Sequence, residues 1–100
     1  MYRFERTGRA KNAKFIEARQ WAKEVAEYIT KKHSQVSIQV CNEVFDKISI
    51  IHWYWDVKDL ATYEDITAQL MSDQGYWAIV SKGVECFIDG SFKDKLMRII

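Results

Sequence analysis

The segment Ile48 to Val57 reads ISIIHWYWDV and sets His52, Tyr54 and Asp56 at alternate positions. Alternate side chains of an extended strand share one face, so these three polar groups stand in a row. An imidazole beside a phenol can orient a polar ligand or pass a proton near neutrality. Upstream, Gln39 and Cys41 repeat the alternation within Val36 to Val44. A thiol acts as a nucleophile only with a base beside it, and His52 is the base that can share its face. Arg3 adds a guanidinium able to meet an anionic ligand. Gln39, Cys41, His52, Tyr54, Asp56 and Arg3 are therefore the candidate ligand-binding residues, with no catalytic role assigned. Each also has a plainer reading. His52 and Tyr54 can satisfy each other in a subunit interface, and Cys41 can be a structural thiol. Asp56 can belong to the start of a helix. Arg3 and Arg98 can be surface charges on outer strands.

The bulk composition narrows the field. One hundred residues make one domain, 1–100, with 48% hydrophobic and 29% charged residues, which is globular rather than disordered. A chain this short buries only roughly two-thirds of its unfolded surface, so it gains from an oligomer interface. The formal net charge is +1, against the strong basic excess of a dedicated nucleic-acid binder; no nucleic-acid partner is expected. Arg3, Arg6, Arg9, Lys11 and Lys14 cluster near the start and read as a solvated edge strand and loop. No apolar run reaches the roughly 18 residues of a membrane span, and the opening MYRFERTGRA lacks a signal-peptide core. Cys41 and Cys86 show neither metal spacing nor a disulfide framework. They read as free thiols in a reducing cytoplasm, with no metal.

Periodicity supplies the elements that must position these groups. Tyr2 to Thr7 alternates as a short strand that Gly8 ends. From Asn12, a plausible N-cap, to Lys32 the period turns helical, with Phe15, Ala18, Ala22, Val25 and Ile29 on one face. Val36 to Val44 and Ile48 to Val57 form a hairpin through Phe45, Asp46 and Lys47. A second helix from about Asp59 carries Leu60, Tyr63, Ile66 and Leu70. Asp73 caps a third, shorter helix with Trp77, Val80 and Val84, and Asp89-Gly90 marks a turn before the last strand. The order is the β-α-β-β-α-β of the ferredoxin-like split βαβ pattern. The fold class is thus α+β, with an antiparallel sheet and the helices on one face.

Hairpin register decides what the sheet presents. Pairing Glu43 with Ile48 sets Val40 opposite Ile51, Ile38 opposite Trp53 and Val36 opposite Trp55. One face is then wholly apolar and suits the helices, so Trp53 and Trp55 read as core. The other face carries Ser37, Gln39, Cys41, Ile50, His52, Tyr54 and Asp56. A slip of one residue would mix the sets and put His52 under the helices, where an unpaired imidazole costs a few kcal/mol, roughly. The polar face is too amphipathic to stay bare, and a second copy of the sheet is the economical cover.

The long first helix with Trp21, the strand HWYWDV and the segment DQGYWAIVSKGVECFIDGSFKDKLMRII together resemble the dimeric α+β barrel proteins. The resemblance is especially to NIPSNAP-like domains and the antibiotic-biosynthesis monooxygenase type, over most of the chain. That resemblance implies a homodimer through the sheet face. It also implies a cavity, between sheet and helices or between sheets, for a small hydrophobic or aromatic molecule, here placed on the helix-free face. Some members oxidise such molecules without a cofactor, so a monooxygenase-type activity is the alternative. Haem-degrading relatives use an Asn, a Trp and a His; here the first strand lacks Asn and His52 is mid-strand, so no cofactor is expected. A third alternative is an RNA-binding or purely structural module, since RNA recognition motifs share the strand order. ISIIHWYWDV lacks their glycine-aromatic pattern.

Overall fold

Strand β1 runs from Tyr2 to Arg9 and lies between two partners, β3 (Ile50–Val57) and β4 (Lys93–Arg98). Strand β2 (Gln39–Asn42) completes the antiparallel sheet, in the order β2-β3-β1-β4. This is the ferredoxin-like arrangement, as the element order requires. The computed structural model describes residues 1–45 and 47–100. Asp46, expected in the hairpin connection, lies outside the described residues.

Helix α1 (Phe15–Lys32) follows a 3-10 turn at Asn12–Lys14, and no side chain caps either start. Asn12 is therefore inside that turn rather than an N-cap. The helix buries Ala18, Trp21, Ala22, Val25, Ala26 and Ile29, close to the stripe its period predicts. Helix α2 (Leu60–Met71) is capped by Asp59, whose side chain accepts from the Thr62 N–H at 2.8 Å. Helix α3 (Gln74–Gly83) is capped by Asp73, which accepts from the Tyr76 N–H at 3.1 Å. Gly90, at φ 75°, makes the turn before β4 with the backbone freedom that only glycine has at low cost.

The core joins the helices to one sheet face. Phe4, Ile51, Trp53, Trp55 and Val57 pack with the buried residues of α1 and with Ile66, Leu70, Tyr76 and Phe87. Two tryptophans also pin backbone. The Trp21 indole N–H donates to the Ile79 carbonyl at 2.9 Å, tying α1 to α3. The Trp53 indole N–H donates to the Ala22 carbonyl at 3.2 Å, tying β3 to α1.

Four expectations are corrected. First, Arg3 is on an inner strand, not an outer one, because the split βαβ order places β1 in the middle of the sheet. Secondly, the hairpin pairs Val40 with Trp53 and Asn42 with Ile51, two residues along from the expected register. A turn closes the hairpin where Ile50 N–H meets the Lys47 carbonyl, so Glu43 pairs its N–H with Ile50 rather than Ile48. An even shift leaves every side chain on its expected face. Thirdly, β2 is shorter than Val36 to Val44, with Val36 buried ahead of it and Val44 exposed beyond it. Fourthly, the buried side of α3 is Tyr76 and Gly83, while Trp77, Val84 and Leu60 of α2 are exposed.

Candidate functional site

The helix-free face gathers all six sequence candidates. Cys41 is the cross-strand partner of His52, Gln39 of Tyr54, and Arg3 of Asp56. Cross-strand partners share a face. Arg3 and Asp56 form a two-point ion pair, Nε at 2.9 Å and Nη2 at 3.2 Å. That hydrogen-bonded guanidinium holds the Asp56 carboxyl below its ordinary value against the opposing effect of burial. Asp56 is thus engaged with β1 rather than with the start of α2. Cys41 is exposed in the single chain, so it is not a structural thiol of the core.

His52 is the hub of the face. Its Nε2 lies 2.9 Å from Glu43 Oε2, and its Nδ1 lies 3.3 Å from the Tyr54 hydroxyl and 3.4 Å from Glu5 Oε2. The His52 and Tyr54 rings stack with a 5° interplanar angle. A carboxylate only accepts, so Nε2–H donates to Glu43. Burial opposes ionisation of Glu5, but the Tyr54 hydroxyl and His52 imidazole outweigh it and hold that carboxyl below its ordinary value. Burial first, and then the Glu5 carboxylate, pushes the Tyr54 hydroxyl up to about 12. Tyr54 is therefore a hydrogen-bonding phenol at neutral pH, not a base. Glu5 and Glu43 are absent from the sequence candidates. Glu5 has the parity of Arg3 on β1, but its closeness to His52 needs the β1–β3 register, which pairs Glu5 with Tyr54 and Thr7 with His52. Among the described residues, no group of three or more His, Cys, Asp or Glu is placed to hold a metal.

A cavity within the chain lies on the opposite side of the sheet. It has a volume of about 480 Å³ and lies between the sheet and the helices, one of the two places the family resemblance implies and not the helix-free face on which the ligand was expected. The scale is that of real ligand sites. Phe4, Trp55 and Tyr63 line it, and Phe4 contacts both others, with ring centroids 5.4 and 5.7 Å away. Exposed Met71, Trp77 and Val84 form its open side. Arg6, Asp94, Tyr63, Thr67 and Tyr76 add polar groups to this largely apolar wall. Arg6 donates to Asp94 at 2.7 Å through Nε and 2.9 Å through Nη2, and its guanidinium stands 5.7 Å from the Phe4 ring centroid. Behind the wall, the Trp55 indole N–H is buried with no hydrogen-bond partner among the described residues, a state that costs about 1–3 kcal/mol.

Arg6 shares its side of β1 with Tyr2 and Phe4, and that parity is the signal in the sequence that places it under the helices. The same geometry bears on base stacking. Trp53 and Trp55 are buried beneath the helices, so on the helix-free face β3 presents the rings of His52 and Tyr54.

This architecture is shared with several solved structures. A protein of Agrobacterium tumefaciens, Atu4242, superposes with a TM-score of 0.83 at 20% identity, covering 100% of this chain and 94% of that one. An uncharacterized NIPSNAP domain protein from Burkholderia xenovorans gives 0.82 at 13% identity, covering 100% and 95%. A putative antibiotic biosynthesis monooxygenase from Nitrosomonas europaea gives 0.78 at 11% identity, covering 100% and 99%. The chain therefore has the ferredoxin-like α+β fold of the NIPSNAP and antibiotic-biosynthesis-monooxygenase proteins. By sequence it belongs to the Family of unknown function (DUF6039), whose model matches residues 3–97. No curated protein matches it. No described helix is long and apolar enough to cross a membrane.

Proposed function

We propose that the protein binds a small hydrophobic or aromatic molecule in the cavity between sheet and helices. The observation that carries this reading is the cavity itself, about 480 Å³ with a largely apolar, aromatic wall. Such cavities bury most of a small ligand, and a few polar groups fix its orientation. The neutral fluorescent probe N-phenyl-1-naphthylamine tests it. Its emission should rise on binding with one site per chain. Val80 lines the cavity and is only partly buried, so Val80→Phe should weaken the probe at least about tenfold while the fold persists. Equal binding by wild type and Val80→Phe would place the probe elsewhere.

A second copy of the chain covers the helix-free face in this reading. That face mixes Ile50, Tyr54 and Met97 with charges of both signs, Arg3, Glu5, Asp56, Lys93 and Lys95, across neighbouring strands. A two-fold interface is self-complementary, and such a mixture lets one face meet itself without like charges dominating. Sedimentation equilibrium should give twice the mass of one 11.8 kDa chain, and Tyr54→Arg should return it to one. A wild-type monomer at micromolar concentration would remove this second reading and leave the cavity unaffected.

A further inference from the structure

One end of the helix-free face holds a second pocket, apart from the cavity. Two turns frame the end of β1 there. The Ala10 N–H donates to the Ser49 carbonyl at 2.9 Å, and the Ile50 N–H to the Lys47 carbonyl at 3.1 Å, which fixes the hairpin turn against β1. On the other side the Ile88 N–H donates to the Arg9 carbonyl at 2.9 Å. The Arg9 N–H donates to Ser91 Oγ at 3.1 Å, which fixes the turn through Gly90. Between the two turns is an open pocket of about 390 Å³. Its side chains therefore start from backbone that is already tied down.

The charge of the lining is one-sided. Arg9, Lys47 and Lys93 line the pocket as cations, against the single carboxylate of Asp89. Lys93 is register partner to Thr7, two residues along β1 from Arg9, so Thr7, Arg9 and Lys93 share a face. Strand β1 carries three arginines, and two of them take a carboxylate from a neighbouring strand, Arg3 from Asp56 and Arg6 from Asp94. The register gives Arg9 an isoleucine, Ile50, in that place. Neither Arg9 nor Lys93 forms an ion pair among the described residues, Asp89 included. Like charges gathered around one pocket repel, and an anion among them relieves the repulsion. A guanidinium fork matches the oxygens of a phosphoryl group, and a lysine adds a point charge.

We propose that this pocket binds a phosphoryl dianion, held by Arg9 and Lys93, with Lys47 adding a third positive charge and the Thr7 hydroxyl a further donor. The test is an amide NMR titration of the full chain slightly above neutrality. Inorganic phosphate and glycerol 3-phosphate are added in parallel, with sodium chloride holding the ionic strength constant. The Gly8, Gly90 and Ser91 amides should shift and saturate. Tighter binding of glycerol 3-phosphate would make a phosphate ester the source of the group, and tighter binding of inorganic phosphate the free anion. Arg9→Gln and Lys93→Gln should each weaken the tighter ligand about fivefold, the scale of one exposed ion pair. Both side chains are exposed, and Arg9 keeps its backbone bonds in the variant, so both variants should fold, which the spectrum itself reports. Shifts that grow without saturating, as with any screening salt, would overturn the proposal. Equal affinity in wild type and Arg9→Gln would overturn it too, by placing the anion elsewhere. Should a second copy cover this end of the face, Tyr54→Arg opens it. Absence of saturable shifts at these amides in both wild type and Tyr54→Arg again overturns the proposal. Failure here leaves the cavity reading untouched, since the two sites share no lining residue.

Discussion

Arg6 and Asp94 are register partners on β1 and β4, and they meet in two hydrogen bonds on the helix side of the sheet. The geometry is the bidentate one that favours Arg. Both side chains are still nearly half exposed, at 41% and 47%, so water screens their attraction. Exposed pairs couple by under about 1 kcal/mol. A double-mutant cycle of Arg6→Met and Asp94→Leu, read by urea unfolding, should therefore give a coupling below that figure. A value above about 2 kcal/mol would make the pair a structural staple of the sheet rather than a feature of the cavity wall.

Gly83 is where α3 meets the first tryptophan. A side-chain carbon there would overlap the Trp21 indole. Alanine ordinarily improves a helix by up to about 1 kcal/mol over glycine. Here the clash wins, because Trp21 is also fixed by its bond to the Ile79 carbonyl. Gly83→Ala should lose about 1–3 kcal/mol of stability, the usual cost of overpacking. An unchanged or raised urea midpoint would show that the indole can move aside cheaply.

Asp73 joins three tasks in one carboxylate. It caps α3 on the Tyr76 N–H, accepts from the Tyr28 hydroxyl at 2.8 Å, and lies 3.4 Å from Lys32 Nζ. Cap removal alone costs about 0.5–2 kcal/mol, and the Tyr28 hydroxyl would lose its acceptor as well. Asp73→Ala should therefore fall in the upper half of that range, and Tyr28→Phe lower. The two losses should be less than additive, since they share one hydrogen bond. Strict additivity in chemical denaturation would contradict the shared bond.

These positions also show what the sequence discloses and what it withholds. The alternation in ISIIHWYWDV is enough to put Trp53 and Trp55 under the helices and His52 and Tyr54 on the open face, because a strand has period two whatever its neighbours. The caps Asp59 and Asp73 are legible for a similar reason, since capping is local chemistry. Glu5 escapes because its link to His52 depends on pairing between strands more than forty residues apart. Tyr76 and Trp77 are adjacent at the start of α3, and periodicity alone does not decide which turns inward. Arg6 has the parity of the core, but its charge hides it until the Asp94 partner and the cavity are known. The cavity itself is a gap between packed elements, and no residue pattern encodes a gap.

The Glu5–His52–Tyr54 cluster gives the protein a pH signature at both ends. The Tyr54 hydroxyl is raised from 10.0 to about 12. Folding thus favours the neutral phenol, so its contribution is full below pH 10, the unfolded value, and is lost as pH rises through about 12. Glu5 is shifted the other way. Its contribution is present above the ordinary carboxyl value of 4.5 and is lost as pH falls through the lowered folded value. The stability difference between wild type and Tyr54→Phe should therefore be flat through neutrality and shrink above pH 10, with the other basic groups cancelling between the two proteins. In the 295 nm absorbance titration of the folded protein, Tyr54→Phe should delete a step near 12. Deletion of a step near 10 instead would show that Tyr54 is neither buried nor close to Glu5 in solution, and would dissolve the cluster.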